Sequence, residues 1–520
     1  MHAMNSRALF TTVTTLVAVL LAPLAIAQTQ ALSTVDCTAL VNMKIPNTNL
    51  LSAVLVPAAE GLPEYCRVLG YVRPAINFEI RLPAHGWNGK FYMAGCGGFC
   101  GTLDSDRPGQ INAMNHGLKR KYAVSTMDGG HWGSAVTDGR WGFDNPVARA
   151  DWGYRAVTET ARVSKLVIET FYKTAPTKSY FHGCSNGGRQ AQMEASRFPD
   201  DFDGIISGAP ALDLTGLAGA LHPWLTQANT GGDGKPIFSP SKRKLVEDAV
   251  AKTCAGPDGL IEDPRTCPFK PASLKCTAGD GSDCLSAAEA SVLEKWYGGP
   301  KSPTGEQLYP GGIPLGSEPF WPTWLLGSGE LPGAVMIFAR EYVRYLAFVH
   351  APGETSQVSE YHLERDLPKA RELSSTYDSA SPDLSKFRDK GRKLLMYQGW
   401  ADAIVTPFRT VDYYEAVKKA MDGQRGTEAF FRLFMVPGMD HCGLSNAGIG
   451  IDQRGFDPLT ALEQWVEIGT PPASLLATKS GRDGKALWTR PLCPYPRVAI
   501  YNGSGDRKDA ANWVCAKPNS

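Results

Sequence analysis

Ser185 lies in Gly183-Cys184-Ser185-Asn186-Gly187, a G-x-S-x-G sequence. Such a run sets a serine on a tight strand-to-helix turn, with its hydroxyl projecting as a nucleophile. A serine hydroxyl is weakly nucleophilic until a base takes its proton. His441, in Met439-Asp440-His441-Cys442-Gly443, carries a matching signal: a cysteine follows this histidine as Cys184 precedes the serine. If the two side chains are catalytic partners, they approach to roughly 3 Å. Cys184 and Cys442 then fall near the Cα separation of about 4.4–6.8 Å that a disulfide needs. Each motif predicts the other, which a lone G-x-S-x-G does not do.

The pair needs an acid to orient the imidazole and donors for a developing oxyanion. Asp402, in Gln398-Gly399-Trp400-Ala401-Asp402, is the expected acid. Asp440 adjoins His441, but its carboxyl is expected to point elsewhere. The N–H of Asn186, next after the nucleophile, is one expected donor. The glycine-rich loop Gly95-Cys96-Gly97-Gly98-Phe99-Cys100-Gly101 supplies the other, near Gly98. His131, in Asp128-Gly129-Gly130-His131, reads as a structural loop histidine.

Positioning these groups requires strands. Apolar runs at 78–82, 90–93, 122–126, 178–182, 204–207, 393–397 and 430–436 predict them. Helical spacing appears at 152–172, with Val163, Leu166, Val167 and Phe171, and at 187–198, 407–421 and 459–468. Alternation of strand and helix argues for a parallel α/β sheet. Ser185, Asp402 and His441 each follow a strand, where open sheets gather their active groups. Their chain order, Ser…Asp…His, is that of α/β-hydrolases. From about 212 to 383 the alternation stops. That stretch is too long for an unstructured loop and predicts an inserted lid domain. The expected organisation is a catalytic domain at 28–211 and 384–520 with the lid at 212–383.

Composition narrows the class. With 520 residues the chain exceeds one small core. Its 53 basic and 52 acidic residues leave no basic stripe for nucleic acid. Twelve tryptophans among abundant Gly and Pro suit loops that meet an aromatic ligand, or simply a large core. Arg7, the short apolar stretch 13–26 and Ala25-Ile26-Ala27 read as a signal peptide, 1–27, rather than a membrane anchor. Twelve cysteines fit an exported protein. Pairing neighbours would join Cys37 with Cys66, Cys96 with Cys100, Cys254 with Cys267, Cys276 with Cys284 and Cys493 with Cys515. Cys184 and Cys442 remain as a long-range pair, though spacing alone leaves connectivity open. A redox role for Cys96 and Cys100, or metal binding by cysteines, is the weaker reading, since no C-x-x-C occurs.

Ser185, Asp402 and His441 with Cys184 and Cys442 resemble the CS-D-HC pattern of the tannase/feruloyl esterase family. Gly183-Cys184-Ser185-Asn186-Gly187-Gly188-Arg189, Gly208-Ala209-Pro210, Val436-Pro437-Gly438-Met439 and Arg490-Pro491-Leu492-Cys493-Pro494-Tyr495-Pro496 extend the resemblance over nearly the whole mature chain. The family includes hydrolases of mono(2-hydroxyethyl) terephthalate. The resemblance implies an α/β-hydrolase domain with a large lid and hydrolysis of aromatic-acid esters. It also implies the neighbour pairing of cysteines, with Cys96–Cys100 as a pair that not all members share. It implies no cofactor for the chemistry, and in many members a structural calcium in a lid loop. Here that loop, 254–263, has lost its early Asp residues, leaving Asp258 and the Leu260 carbonyl as ligands. Calcium takes six to eight oxygens, so a full site is not expected.

The resemblance further places Trp324 beside the substrate ring. Val405 stands where terephthalate-monoester hydrolases have phenylalanine. No arginine aligns with their lid arginine, although Arg340 and Arg344 lie near it. The expectation is a secreted or periplasmic serine carboxylesterase for small hydroxycinnamate or gallate esters. It needs no nucleic acid and, after signal cleavage, no membrane. Rivals are a hydrolase of synthetic aromatic monoesters, an acyltransferase sharing the acyl-enzyme, and a noncatalytic binding protein on a hydrolase scaffold. A p-nitrophenyl ester assay separates the last, and product analysis with added alcohol separates the acyltransferase.

Overall fold

The strand that delivers Ser185, Lys178–Cys184, has six of its seven residues buried. Burial on both faces marks a central strand covered by helices on each side. It is β6 of a nine-stranded sheet in a computed structural model that describes residues 36–103, 111–277, 279, 281–329, 331–445, 450–481 and 483–518. The expected signal peptide, 1–27, lies outside the described residues. The other strands are β1 (Thr48–Val56), β2 (Tyr65–Val72), β3 (Ile76–Pro83), β4 (Lys90–Ala94), β5 (Ala123–Met127), β7 (Gly204–Gly208), β8 (Lys393–Gly399) and β9 (Phe431–Val436).

Their order is β1-β2-β3-β5-β4-β6-β7-β8-β9. From β5 to β9 all neighbours are parallel. The sheet is therefore mixed rather than wholly parallel: β1, β2 and β3 join antiparallel at one edge. β1 escaped the apolar-run reading because it lies at that edge, with one fully buried residue, Ala53. At the far edge, the Tyr495 N–H donates to the Leu433 carbonyl at 2.7 Å, and Pro494 bridges to Phe434. This covers the backbone of β9, which would otherwise offer unpaired groups.

The helix Ala156–Tyr172 buries Val163, Val167 and Phe171 at four-residue spacing. Leu166 falls off that stripe and is exposed. The start of the helix expected over 152–172 is π-helical rather than α, over Asp151–Arg155. The helix Asn186–Arg197 follows Ser185, and Pro407–Ala420 follows the Asp402 loop. The last helix is shorter than its apolar pattern suggests: Pro458–Glu463 is α-helical and Gln464–Ile468 is π-helical.

Between the adjacent strands β7 and β8 the chain leaves the sheet for residues 209–392. This insertion carries helices Arg243–Cys254, Ala287–Gly298, Ala334–Tyr345 and Leu363–Ala370. Its core sets Trp296 edge-on to Trp321 at 5.3 Å, with Phe238 against both. One buried cluster runs from Phe181 and Ile205 of the sheet into these tryptophans. The ends of the insertion are tied by the Ser379 N–H, which donates to the Leu212 carbonyl at 2.8 Å.

Six disulfides join the twelve cysteines. Five close loops with sequence separations of 4 to 29, and Cys184–Cys442 spans 258. Cys493–Cys515 pins two C-terminal hairpins, β10 (Leu475–Ser480) with β11 (Ala486–Leu492) and β12 (Val498–Tyr501) with β13 (Trp513–Ala516).

Candidate active site

Ser185 is the hinge between β6 and its helix. Its φ of 64° and ψ of −121° put a non-glycine residue in a costly backbone region. Three main-chain bonds hold it there. The Ser185 N–H donates to the Gly208 carbonyl at 2.9 Å, and its carbonyl accepts from Arg189 at 3.0 Å and Ala211 at 3.2 Å. The flanking glycines are demanded by space. A Cβ on Gly183 would sit 2.3 Å from the Gly187 carbonyl oxygen, and one on Gly188 the same distance from that of Gly208. The turn thus presents a partly exposed Ser185 among buried neighbours.

Asp402 and His441 come together from the ends of β8 and β9. His441 Nδ1 lies 2.8 Å from Asp402 Oδ2, with both side chains buried. Oδ2 also accepts from Gln398 Nε2 at 3.0 Å, while Oδ1 accepts the N–H groups of Ile404 at 3.1 Å and Val405 at 2.9 Å. Four donors converge on one carboxylate, so Nδ1 must carry its proton toward Asp402 and Nε2 is left with a lone pair. Cys442 Sγ is 3.8 Å from that Nε2. The Cys184–Cys442 bridge, Cα atoms 6.0 Å apart, fastens the residue before the serine to the residue after the histidine.

Asp440 does not touch the imidazole through any hydrogen bond. Ser445 N–H reaches its Oδ1 at 3.3 Å, and the Trp324 indole is its other polar neighbour among the described residues. Burial, with the Asp402 charge nearby, pushes its carboxyl up to about 7.

The glycine loop after β4 lies against the elbow helix. Its N–H groups can be followed one by one. Gly95 donates to the His182 carbonyl and Cys96 to Gln190 Oε1; Phe99 donates to Val136, Cys100 to Gly97 and Gly101 to Asp128. Gly97 and Gly98 have no acceptor among the described residues. Gly98 has φ of +55°, and a Cβ there would meet the Val136 carbonyl at 2.3 Å. Asn186 opens its helix, so its N–H has no intrahelical acceptor either. His131 braces the loop from behind: burial pushes it down to about 4, and its Nε2–H donates to the Phe99 carbonyl at 2.7 Å.

A strained serine, an Asp-bound histidine and uncommitted N–H groups form an arrangement suited to acyl transfer, and comparison with known proteins decides the family. The sequence pattern of tannase and feruloyl esterase matches residues 61–516. This chain belongs to that family. It is 35% identical over 540 residues to the mono(2-hydroxyethyl) terephthalate hydrolase of Piscinibacter sakaiensis, covering 90% of this chain and 87% of that one. It is 31% identical over 450 residues to a probable feruloyl esterase of Arthroderma benhamiae, covering 83% and 80%. The crystal structure of feruloyl esterase B from Aspergillus oryzae superposes with a TM-score of 0.80 at 27% identity, over 92% of this chain and all of that one. As a tannase/feruloyl esterase family member, the protein is a carboxylic ester hydrolase with the α/β-hydrolase fold.

Within this family member, Trp324 stands edge-on to His441 with ring centroids 5.2 Å apart. Val405 is buried, and its N–H is spent on Asp402. Arg340 pairs with Glu341, and Arg344 donates to the Ser356 carbonyl at 2.9 Å. The shortened loop does not suit calcium. The Leu260 carbonyl accepts from Gly256 N–H, and Asp258 is spent on the Leu260 N–H and the guanidinium of Arg490. The same guanidinium holds Glu262 and lies over the Trp513 ring. A cation already fills that carboxylate pair. No cluster of three or more acidic, His or Cys ligands occurs among the described residues.

The sequence reading missed the roles of Gln398, Arg189 and Gln190. Gln398 is four residues before Asp402 and braces it. Arg189 and Gln190 lie within the quoted elbow run or directly after it, but only the fold shows what they touch.

Proposed function

We propose that the protein hydrolyses small esters of aromatic acids through a Ser185 acyl-enzyme. The His441–Asp402 contact at 2.8 Å, beside the bridged elbow, carries this reading. His441 Nε2 takes the Ser185 proton as Oγ attacks the ester carbonyl. The N–H groups of Asn186 and of Gly98, with Gly97 beside it, receive the oxyanion. His441 then returns the proton to the leaving alcohol, and a water activated by the same nitrogen releases the acid. Asp402 keeps Nδ1 protonated throughout.

For substrate, we favour hydroxycinnamate and gallate esters. Trp324 offers an aromatic edge at His441, while Arg340 and Arg344 are both engaged and Val405 brings no ring, which weakens the case for a free terephthalate carboxylate. The similarity to a terephthalate-monoester hydrolase keeps that class as the second reading. Six disulfides, and no helix among the described residues long and apolar enough to cross a membrane, support an exported enzyme whose insertion at 212–383 serves as a lid. The test is a panel of methyl ferulate, methyl caffeate, methyl gallate and mono(2-hydroxyethyl) terephthalate with wild type and Ser185→Ala. Cleavage by wild type and its loss in the variant are expected. Near-wild-type cleavage by Ser185→Ala would overturn the mechanism, and a higher kcat/KM for the terephthalate would overturn the substrate preference.

A further inference from the structure

The Cys96–Cys100 disulfide closes a loop with a sequence separation of only 4. Restraint of the unfolded chain grows with loop length, so so short a bridge adds little to global stability. Its contribution is to local shape, and its surroundings indicate which shape. Two side chains from the first turns of the elbow helix reach it. Asn186 Nδ2 donates to the Cys96 carbonyl at 3.2 Å and to Cys100 Sγ at 3.2 Å. Gln190, four residues on, accepts the Cys96 N–H on Oε1 at 3.2 Å and sets Nε2 3.2 Å from Cys96 Sγ and 3.9 Å from Cys100 Sγ.

The amide orientations are forced. Arg189 only donates, and its Nε lies 2.8 Å from Asn186 Oδ1, so the Asn186 NH₂ must face the loop. Arg189 itself is fully buried, stacked over Trp152 at 4.1 Å, and bonded to the carbonyls of Trp152, Gly153 and Tyr377. It has no freedom to release Asn186. Gly97 and Gly98, whose N–H groups have no acceptor among the described residues, lie inside the five-residue ring that the disulfide closes. On the other side, Phe338 of the insertion packs edge-on to Phe99 at 5.2 Å.

We propose that the Cys96–Cys100 bridge, gripped by Asn186 and Gln190, is a positioning device that holds the loop half of the oxyanion site in register with the Asn186 half. Gln190 and the two cysteines are thus positioning residues that never touch substrate. The inference rests on the esterase reading above. A displacement of the donors costs the transition state more than the bound ester, because the charge they meet develops only in the transition state.

The experiment compares wild type, Gln190→Ala and the double variant Cys96→Ser/Cys100→Ser on p-nitrophenyl acetate. It also compares their inhibition by an aryl trifluoromethyl ketone. Ser185 Oγ adds to the ketone carbon, its proton passes to His441, and the resulting oxyanion enters the same site. For each variant that keeps the wild-type circular dichroism, kcat should fall about 10- to 100-fold with KM within about twofold. Affinity for the ketone should fall in proportion. A kcat within twofold of wild type, or a rise in KM at constant kcat, in either folded variant overturns the proposal. Should the cysteine pair fail to fold, Gln190→Ala alone decides. If these variants keep full activity while Ser185→Ala is dead, the positioning role falls and the esterase reading stands. If Ser185→Ala remains active, the esterase reading itself falls.

Discussion

Replacing Asp402 by asparagine leaves the volume of the site unchanged and reverses the logic of its hydrogen bonds. The carboxylate accepts four bonds: two from the backbone N–H groups of Ile404 and Val405, one from Gln398 and one from His441. Asparagine has one acceptor oxygen and an NH₂ that only donates. Backbone N–H groups cannot invert, so the oxygen must stay at the Oδ1 position. The NH₂ then faces Gln398 and His441. Gln398 is held by the Thr410 hydroxyl, which donates to its Oε1 at 3.0 Å. His441 can adapt, but only by moving its proton from Nδ1 to Nε2. That tautomer points a proton, not a lone pair, at the nucleophile. A wrong tautomer in a serine triad costs about 10⁴-fold in kcat, or about 5.4 kcal/mol. The assay is kcat for p-nitrophenyl acetate and methyl ferulate at pH 8, with circular dichroism to confirm folding. Asp440→Asn is the control. That carboxyl makes no hydrogen bond to the imidazole, so its variant should stay within about threefold. If Asp402→Asn kept a tenth of wild-type kcat, or if Asp440→Asn were the crippled variant, the assignment of the orienting acid would be wrong.

Removing the long bridge with Cys184→Ala/Cys442→Ala should lower unfolding free energy by about 5 kcal/mol on the chain-entropy estimate for its 258-residue separation. It should also lower kcat at temperatures where the variant is folded; full kcat there would make the bridge a stability staple only. Arg490→Ala would leave the partly exposed Asp258 and Glu262 without their cation and should cost about 1–2 kcal/mol in denaturant unfolding. Addition of calcium or a chelator should leave the wild-type Tm unmoved, and a calcium-dependent rise would contradict the reading of that loop. His222, buried with Nε2 2.9 Å from the Ile404 carbonyl, is pushed down to about 4 by desolvation. Its folded pKa lies below its unfolded value of about 6.5, so its contribution is complete above pH 6.5 and is lost as pH falls toward 4. His222→Gln should therefore flatten the acid limb of the Tm profile by the equivalent of about 3 kcal/mol. Glu318, raised to about 7 by burial, works in the other direction. Its contribution is complete below about pH 4.5 and is lost as pH rises to 7, so Glu318→Gln should raise Tm at pH 8 relative to pH 5.

The elbow at Ser185, the parallel strands and the placing of Asp402 and His441 just beyond strand ends were legible because each is a local pattern. Gly183 and Gly188, on either side of the serine, follow from a strand and helix that cross too closely for a Cβ. The apolar runs of β6 to β9 follow from burial on both faces, and the cysteines flanking Ser185 and His441 joined two distant turns before any fold was known. The other groups of the site obey no local pattern. The Asn186 side chain and Gln190 gain their roles only when the glycine loop, some 90 residues earlier, lies against their helix. Asp258 sits in a loop that resembles a calcium site, and the partner that fills its place is 232 residues away. The antiparallel edge at β1 is mostly exposed, so apolar periodicity could not mark it. Chain-local sterics and burial periods are written residue by residue. Which buried donor meets which acceptor depends on what folding brings alongside, and here that decided which N–H groups of the 95–101 loop stay uncommitted among the described residues and which cation meets the 254–263 loop.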